Sequence, residues 1–239
     1  MTTTVQLLDS LDVPHGVPQM KLWTEHLPIQ IKNQGNTFVC WAYVAAKHYE
    51  YVRAIMYPDD PHISFSVQQL IDGVCPSPRK VDKKGGYKWR ASSALQWIVD
   101  NGLATEADYP MAPYRGCFRQ LMSNWKFRAS SVKLIPDGDE DEVIRVVAKH
   151  PIAACVEVYP SFIKLEKGVY RGPTPEETSK GKHAVAIVGY GRDLTTNEEV
   201  FIIENTWGTG WGDGGLGRIK RGQKFGQTPF LTRFSYLCI

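Results

Sequence analysis

The sequence predicts an α+β fold in two lobes, a helical half followed by a strand-rich half, with a cleft between them. Two observations carry this. Up to about position 100, apolar residues recur at helical spacing, with cap residues where the segments begin and end. From about position 152 the pattern changes to short runs of β-branched and small apolar residues separated by glycine-rich turns. The length of 239 residues, with seven tryptophans and eleven tyrosines, is enough to bury an ordinary core in one large domain or two small ones sharing an interface.

The elements follow in order. Residues 1–17 read as an irregular extension, with Pro14 and Gly16 as breakers and Pro18 just beyond. Residues 31–37 form a polar loop running into a long helix over 40–56, closed by Pro58. Apolar positions 41, 44, 45, 49, 52 and 55 share one face of that helix, and Cys40 stands at its first turn. A second helix opens at Ser66, where Gln69 three residues on completes a capping-box pattern. A third spans about 91–100 and stops at Asn101-Gly102. Strands are expected at 152–158, 183–190 and 200–205. No repeat or low-complexity tract interrupts the chain.

Composition excludes several classes of function. The charged fraction is 22% and the net charge +3, mildly basic and without the dense positive face that nucleic-acid binding needs. No run approaches the roughly 20 apolar residues of a membrane span. The first residues lack the basic start and apolar core of a secretory signal. Five cysteines, Cys40, Cys75, Cys117, Cys155 and Cys238, include no C-x-x-C pair, so neither a zinc site nor a dense disulfide framework is indicated. No metal or other cofactor is expected. One basic cluster, Arg79, Lys80, Lys83, Lys84, Lys88 and Arg90, is either a solvated face or the positive rim of a binding cleft.

Three residues invite chemistry. A thiol attacks as its thiolate, and Cys40 sits where a helix amino end supplies partial positive charge and free N–H groups. His183 opens an apolar strand, where an imidazole needs a polar partner. Asn205 closes the next strand before Thr206-Trp207-Gly208, and its amide can accept a ring N–H and fix the tautomer. Taken singly, each has a plainer reading: a buried cysteine, an edge histidine, a turn asparagine.

Together the surrounding motifs have a pattern. Gln34-Gly35, four intervening residues, then Cys40-Trp41-Ala42-Tyr43 resembles the nucleophile segment of the papain-like cysteine peptidases. The run His183-Ala184-Val185-Ala186-Ile187-Val188-Gly189-Tyr190-Gly191 is similar to that family's histidine strand. Asn205-Thr206-Trp207-Gly208-Thr209-Gly210-Trp211-Gly212 is similar to its asparagine–tryptophan segment. His183 and Asn205 follow Cys40 by roughly 140–165 residues, the family's order and spacing. The resemblance spans about residues 18 to 239. It implies a helical left lobe over 28–128 carrying Cys40, and an antiparallel, barrel-like right lobe over 129–239 carrying His183 and Asn205. Residues 1–27 would be an extension and crossover strand on the right lobe, and the active site would lie between the lobes. It also implies roles. Cys40 attacks a peptide carbonyl to give a thioester, His183 is its base, and Asn205 orients His183 beneath Trp207. Gln34 and the Cys40 N–H stabilise the oxyanion. Gly85 and Gly86 bind an extended substrate strand, and Tyr87, Trp89 and Cys155 build the main specificity pocket.

This sequence departs from the family pattern at several points. Thr37 and Phe38 replace a cysteine and a glycine before the nucleophile, so Phe38 is expected to narrow the cleft or reshape its loop. Lys182 replaces Asp or Asn before His183 and is expected to lower its pKa. Arg233 is placed near the floor of the specificity pocket, which with the basic cluster favours acidic or polar side chains. Only Cys75–Cys117 would reproduce a family disulfide. Few bridges, no signal and no inhibitory pro-segment lead to the expectation of a cytoplasmic protein, with a lysosomal, vacuolar or extracellular one as the alternative if the chain is a mature fragment. The expected partners are peptide or protein substrates and proteinaceous inhibitors, with no nucleic acid or membrane, and the chain is expected to be a monomer. An endopeptidase is the leading reading. A papain-fold binding protein without turnover and an exopeptidase are the alternatives.

Overall fold

The computed structural model describes residues 14–25, 27, 30–74, 86–112, 129–226 and 228–238. The first half is helical, as the periodicity predicts. Helix α1, Cys40–Met56, buries Trp41, Val44, Ala45, Tyr49 and Val52. Its N-cap is Val39, which has no side-chain acceptor, so the N–H groups of Cys40 and Trp41 have no side-chain cap. Helix α2, Val67–Gly73, opens on Ser66, whose hydroxyl accepts the Gln69 N–H at 2.9 Å. Only this half of the capping box forms. The Gln69 side chain instead accepts the Ala104 N–H at 2.6 Å, so a tertiary bond replaces the local one. Helix α3, Ala91–Asn101, ends on Gly102 at φ 76°, a left-handed position suited to glycine.

The second half supplies most of the sheet. Its strands are β1 (Lys21–Leu22), β2 (Ser131–Ile135), β3 (Ile152–Val158), β4 (Val169–Tyr170), β5 (Gly181–Asp193), β6 (Glu198–Glu204), β7 (Leu216–Lys220) and β10 (Leu231–Cys238). Between the last two lies a small hairpin of β8 (Lys224–Phe225) and β9 (Thr228–Pro229). The main order is β2-β10-β3-β5-β6-β7-β4, with β1 added on β5. The sheet is open, and its β4–β7 pair is parallel while the other pairs are antiparallel. The expected barrel-like right lobe is therefore a mixed, unclosed sheet within a two-lobed α+β fold. Strand β1 crosses so close to β5 that a Cβ at Gly189 would lie 2.3 Å from the Lys21 carbonyl oxygen, so glycine is required there.

Strand alternation divides the core into two clusters. Along β5, Ala184, Ala186 and Val188 face α1, while Val185 and Ile187 face the opposite side. Along β6, Val200 and Ile202 join the α1 side, and Phe201 and Ile203 the other. That other side is closed by α4 (Glu140–Val147) and α5 (Pro160–Ile163), which bring Val143, Ile144, Val147 and Phe162. The long apolar runs of β5 and β6 follow from burial on both faces. One end of each strand matters for the site: β5 carries His183 near its start and β6 delivers Asn205 just past its end.

Candidate active site

The amino end of α1 and the start of β5 meet at one cavity of about 860 Å³, which Gln34, Cys40, His183 and Trp207 help to line. Cys40 Sγ accepts the backbone N–H of Ala184 at 3.4 Å, so the residue next to His183 is pinned on the thiol. Burial pushes the Cys40 thiol up from its ordinary value, while the N–H groups of Ala184, Trp41 and Cys40 and the nearby charge of Lys88 oppose that rise. The helix N-terminus thus acts on the sulfur through real donors, in the direction that favours the anion.

His183 is 5% exposed, and its Nε2 is 2.7 Å from Asn205 Oδ1. Asn205 Oδ1 also accepts the Thr206 N–H at 2.7 Å, which fixes this oxygen as the acceptor and His183 Nε2 as the donor. The Trp207 ring lies 4.5 Å from the imidazole, tilted by 33°, and its edge is packed by Phe162 and Trp211. Burial lowers the His183 pKa to about 4, opposed by the Asn205 bond. Lys182, expected to lower it, is exposed and makes no contribution there; its charge acts on Cys155 instead. Charged together, thiolate and imidazolium attract across the cleft, which opposes both burial costs.

Gln34 is held from three directions. Its Nε2 donates to the Thr37 carbonyl at 2.6 Å, its Oε1 accepts the Thr206 hydroxyl, and its own N–H donates to the Thr206 carbonyl at 2.8 Å. The second Nε2–H takes no acceptor among the described residues. Thr37, which stands where the family has a cysteine, thus becomes an anchor, and its hydroxyl donates to the Gln34 carbonyl at 2.7 Å. Sequence reasoning missed this loop lock and the Ala184 N–H on the thiol; neither leaves a local signal.

The other expected residues are placed as follows. Phe38 lines the cleft but is 51% exposed, with the Lys88 ammonium 4.9 Å from its ring centre, so it stands at the wall and not across the floor. Trp89, Cys155 and Lys182 line the same cavity, and so does Arg233. Tyr87 is a correction. Expected in the specificity pocket, it is 2% exposed and packs its ring 5.0 Å from Trp41, with its hydroxyl donating to the Ile71 carbonyl at 3.0 Å. An aromatic between a glycine and a lysine leaves the sequence silent on whether it faces the cleft or the core. Gly86 is buried. Gly85, the basic residues 79–84, and both cysteines of the Cys75–Cys117 pairing lie outside the described residues. Cys40, Cys155 and Cys238 are free thiols.

Known proteins share this fold. The bromelain protease of Ananas comosus, solved in complex with the E64 inhibitor, superposes with a TM-score of 0.76 at 25% identity, covering 93% of this chain and 100% of that one. The ragweed pollen cysteine protease Amb a 11 in its proform gives 0.79 at 25% identity, covering 93% and 66%. Papain from Carica papaya is 31% identical over 223 residues, 91% of this chain and 58% of papain. The chain likewise spans 56% of fruit bromelain. These relatives overturn the cytoplasmic expectation, because such proteases are mostly secreted, lysosomal or vacuolar and have propeptide forms. The physical reason is that a core of this size needs no bridges, so few cysteines do not report a compartment. The model of the papain family cysteine proteases matches residues 17–236, and the chain belongs to that family.

Proposed function

We propose that the chain is a cysteine endopeptidase that cleaves peptide bonds through a thioester on Cys40. The observation that carries this is the meeting at one cavity of Cys40, whose thiol accepts the Ala184 N–H at the amino end of α1, and His183, whose Nε2 is 2.7 Å from Asn205 Oδ1. In the reaction, the Cys40 thiolate attacks the carbonyl carbon and a C–S bond forms. The carbonyl oxygen becomes an oxyanion that accepts the free Gln34 Nε2–H and the Cys40 N–H. Collapse breaks the C–N bond as His183 gives its proton to the leaving amine. Water, deprotonated by His183, then attacks the thioester, and the acid product leaves with Cys40 restored. Asn205 holds the ring through both proton transfers, and Trp207 shields that bond from water.

The substrate is an extended peptide or protein segment, and a proteinaceous inhibitor would occupy the same cleft. A second reading, a binding protein without turnover, is favoured by the burial that holds the Cys40 thiol up and His183 down to about 4. Labelling separates the two. An epoxysuccinyl inhibitor should add once to the wild type by intact mass and not to Cys40→Ala, and the labelled protein should lose its turnover of a casein substrate. A folded wild type that takes no label sinks the peptidase reading.

A further inference from the structure

The cavity beside Cys40 carries an excess of positive charge, of which only that of Lys88 acts on the Cys40 thiol. Five cationic side chains line it: Lys88, Arg90, Lys180, Lys182 and Arg233. One carboxylate, Asp137, does so among the described residues, and it is already engaged, accepting the Arg233 N–H at 2.6 Å. None of the five cations forms an ion pair with a carboxylate among the described residues.

Two of the five converge on one spot. Strand β3 runs between β10 and β5, with Cys155 opposite Thr232 on one side and Ala184 on the other. The register of β10 against β3 slips between Thr232 and Ser235, and Arg233 sits in that slip at φ 55°. A left-handed arginine is strained, and the Asp137 bond to its N–H holds it there. The result shows at Cys155, a thiol pushed up to about 11 by burial. Arg233 and then Lys182 act on it in the opposite direction, and Cys40 is near enough to act on it too. Glu157, the remaining acid near this thiol, acts weakly and accepts the Ser179 hydroxyl. Leu134 and Trp89, both exposed, give the same cavity an apolar wall.

An apolar wall beside unpaired cations suits a side chain with an aliphatic stem and a terminal carboxylate. We propose that this pocket selects a glutamate or aspartate side chain on the acyl side of the cleaved bond, with Arg233 and Lys182 as its specificity-determining residues. This rests on the cleft being the peptide-binding site proposed above. A neutral side chain of the same length would leave the cations facing water and gain none of that attraction, so charge and not shape is the quantity selected.

The test uses matched fluorogenic peptides in which each acyl-side residue in turn is Glu, Gln, Leu or Lys. At one position Glu should exceed Gln by about 10-fold in kcat/KM at low salt, with Lys poorest, and the ratio should shrink in 0.5 M salt, roughly where the screening length falls toward a few ångströms. Arg233→Asn keeps a residue that tolerates the left-handed backbone, and should reduce the Glu/Gln ratio to about 2-fold or less. Lys182→Ser is the companion variant and should reduce it in part. The same peptides are titrated onto Cys40→Ala, so that the preference is read as a Kd ratio without turnover. Absence of turnover and of epoxysuccinyl labelling sinks the peptidase reading while the Kd ratio still decides this one. Equal binding and cleavage of Glu and Gln peptides, or a Leu preference that Arg233→Asn leaves unchanged, overturns it.

Discussion

Gln34 is the residue whose structure says most about its use. A surface glutamine loses considerable side-chain freedom when it is ordered, and here Thr37 and Thr206 order it before any substrate arrives. An amide prepared in that way stabilises charge that develops only in the transition state, because no reorganisation is required at the moment of reaction. Gln34→Ala should therefore lower kcat by about 100-fold or more with little change in KM, read by kinetics on enzyme titrated for active Cys40. A loss below about 3-fold would remove Gln34 from the chemistry and leave it a loop anchor. The Thr206 hydroxyl, which holds the side-chain oxygen of Gln34, follows Asn205 directly. One short segment thus fixes both the orienting amide and the oxyanion donor.

At the scale of elements, α1 does more than present Cys40. Two turns in, the helix carries Lys47, Glu50 and Tyr51, all buried, against Glu204 at the end of β6. Lys47 Nζ lies 3.1 Å from Glu50 and 3.9 Å from Glu204, donates to the Gln30 carbonyl at 2.9 Å, and Tyr51 donates its hydroxyl to Glu204. Burial raises the Glu204 carboxyl, and Lys47 opposes the rise. Lys47→Met would leave two buried carboxylates without their cation, and should cost about 3–5 kcal/mol in urea unfolding. Adding Glu50→Gln and Glu204→Gln should recover most of that loss, and failure to recover would mean that the lysine stem's packing is what matters. This cluster was legible only in part. The spacing of 47, 50 and 51 puts three polar groups on a helix otherwise read as buried, yet the partner on β6 lies 153 residues beyond Tyr51 and no local pattern points to it. The same limit runs through the fold. Helices α1 to α3 and strands β3, β5 and β6 follow from periodicity, and Cys40, His183 and Asn205 follow from motifs. Helix α4 has a local basis as well, the Asp139 side chain accepting the Glu142 N–H at the start of an apolar run. Strands β4 and β7 pair in parallel, and β10 bulges at Arg233; both depend on neighbours far away in the chain.

For the whole molecule, the lobes meet over buried histidines, and acid should pull them apart. His48 on α1 is fully buried, and its Nε2 accepts the β10 N–H of Leu237 at 2.9 Å, so the ring must be neutral to hold that strand. Burial holds its pKa well below the ordinary value, helped by His150, whose ring lies 5.7 Å away and is itself lowered by burial and Lys149. His183 is lowered to about 4. In the unfolded chain all three titrate near 6.5. Below that pH the unfolded state binds protons that the folded state refuses, so their contribution is full above about 6.5 and is lost as pH falls toward the folded values. Each histidine adds a slope of up to about 1.4 kcal/mol per pH unit. Glu204, raised by burial, slopes the other way above the ordinary carboxyl value, so the wild-type profile alone is a net of opposing terms. A difference isolates one of them. In His48→Gln the new side chain still offers an oxygen to the Leu237 N–H but cannot titrate. The free energy of unfolding of this variant, measured in urea from pH 7 to pH 5, should therefore fall less steeply than that of the wild type, by about one proton's worth below pH 6. Parallel profiles would mean that His48 takes up its proton without opening the interface, and that acid acts on the fold elsewhere.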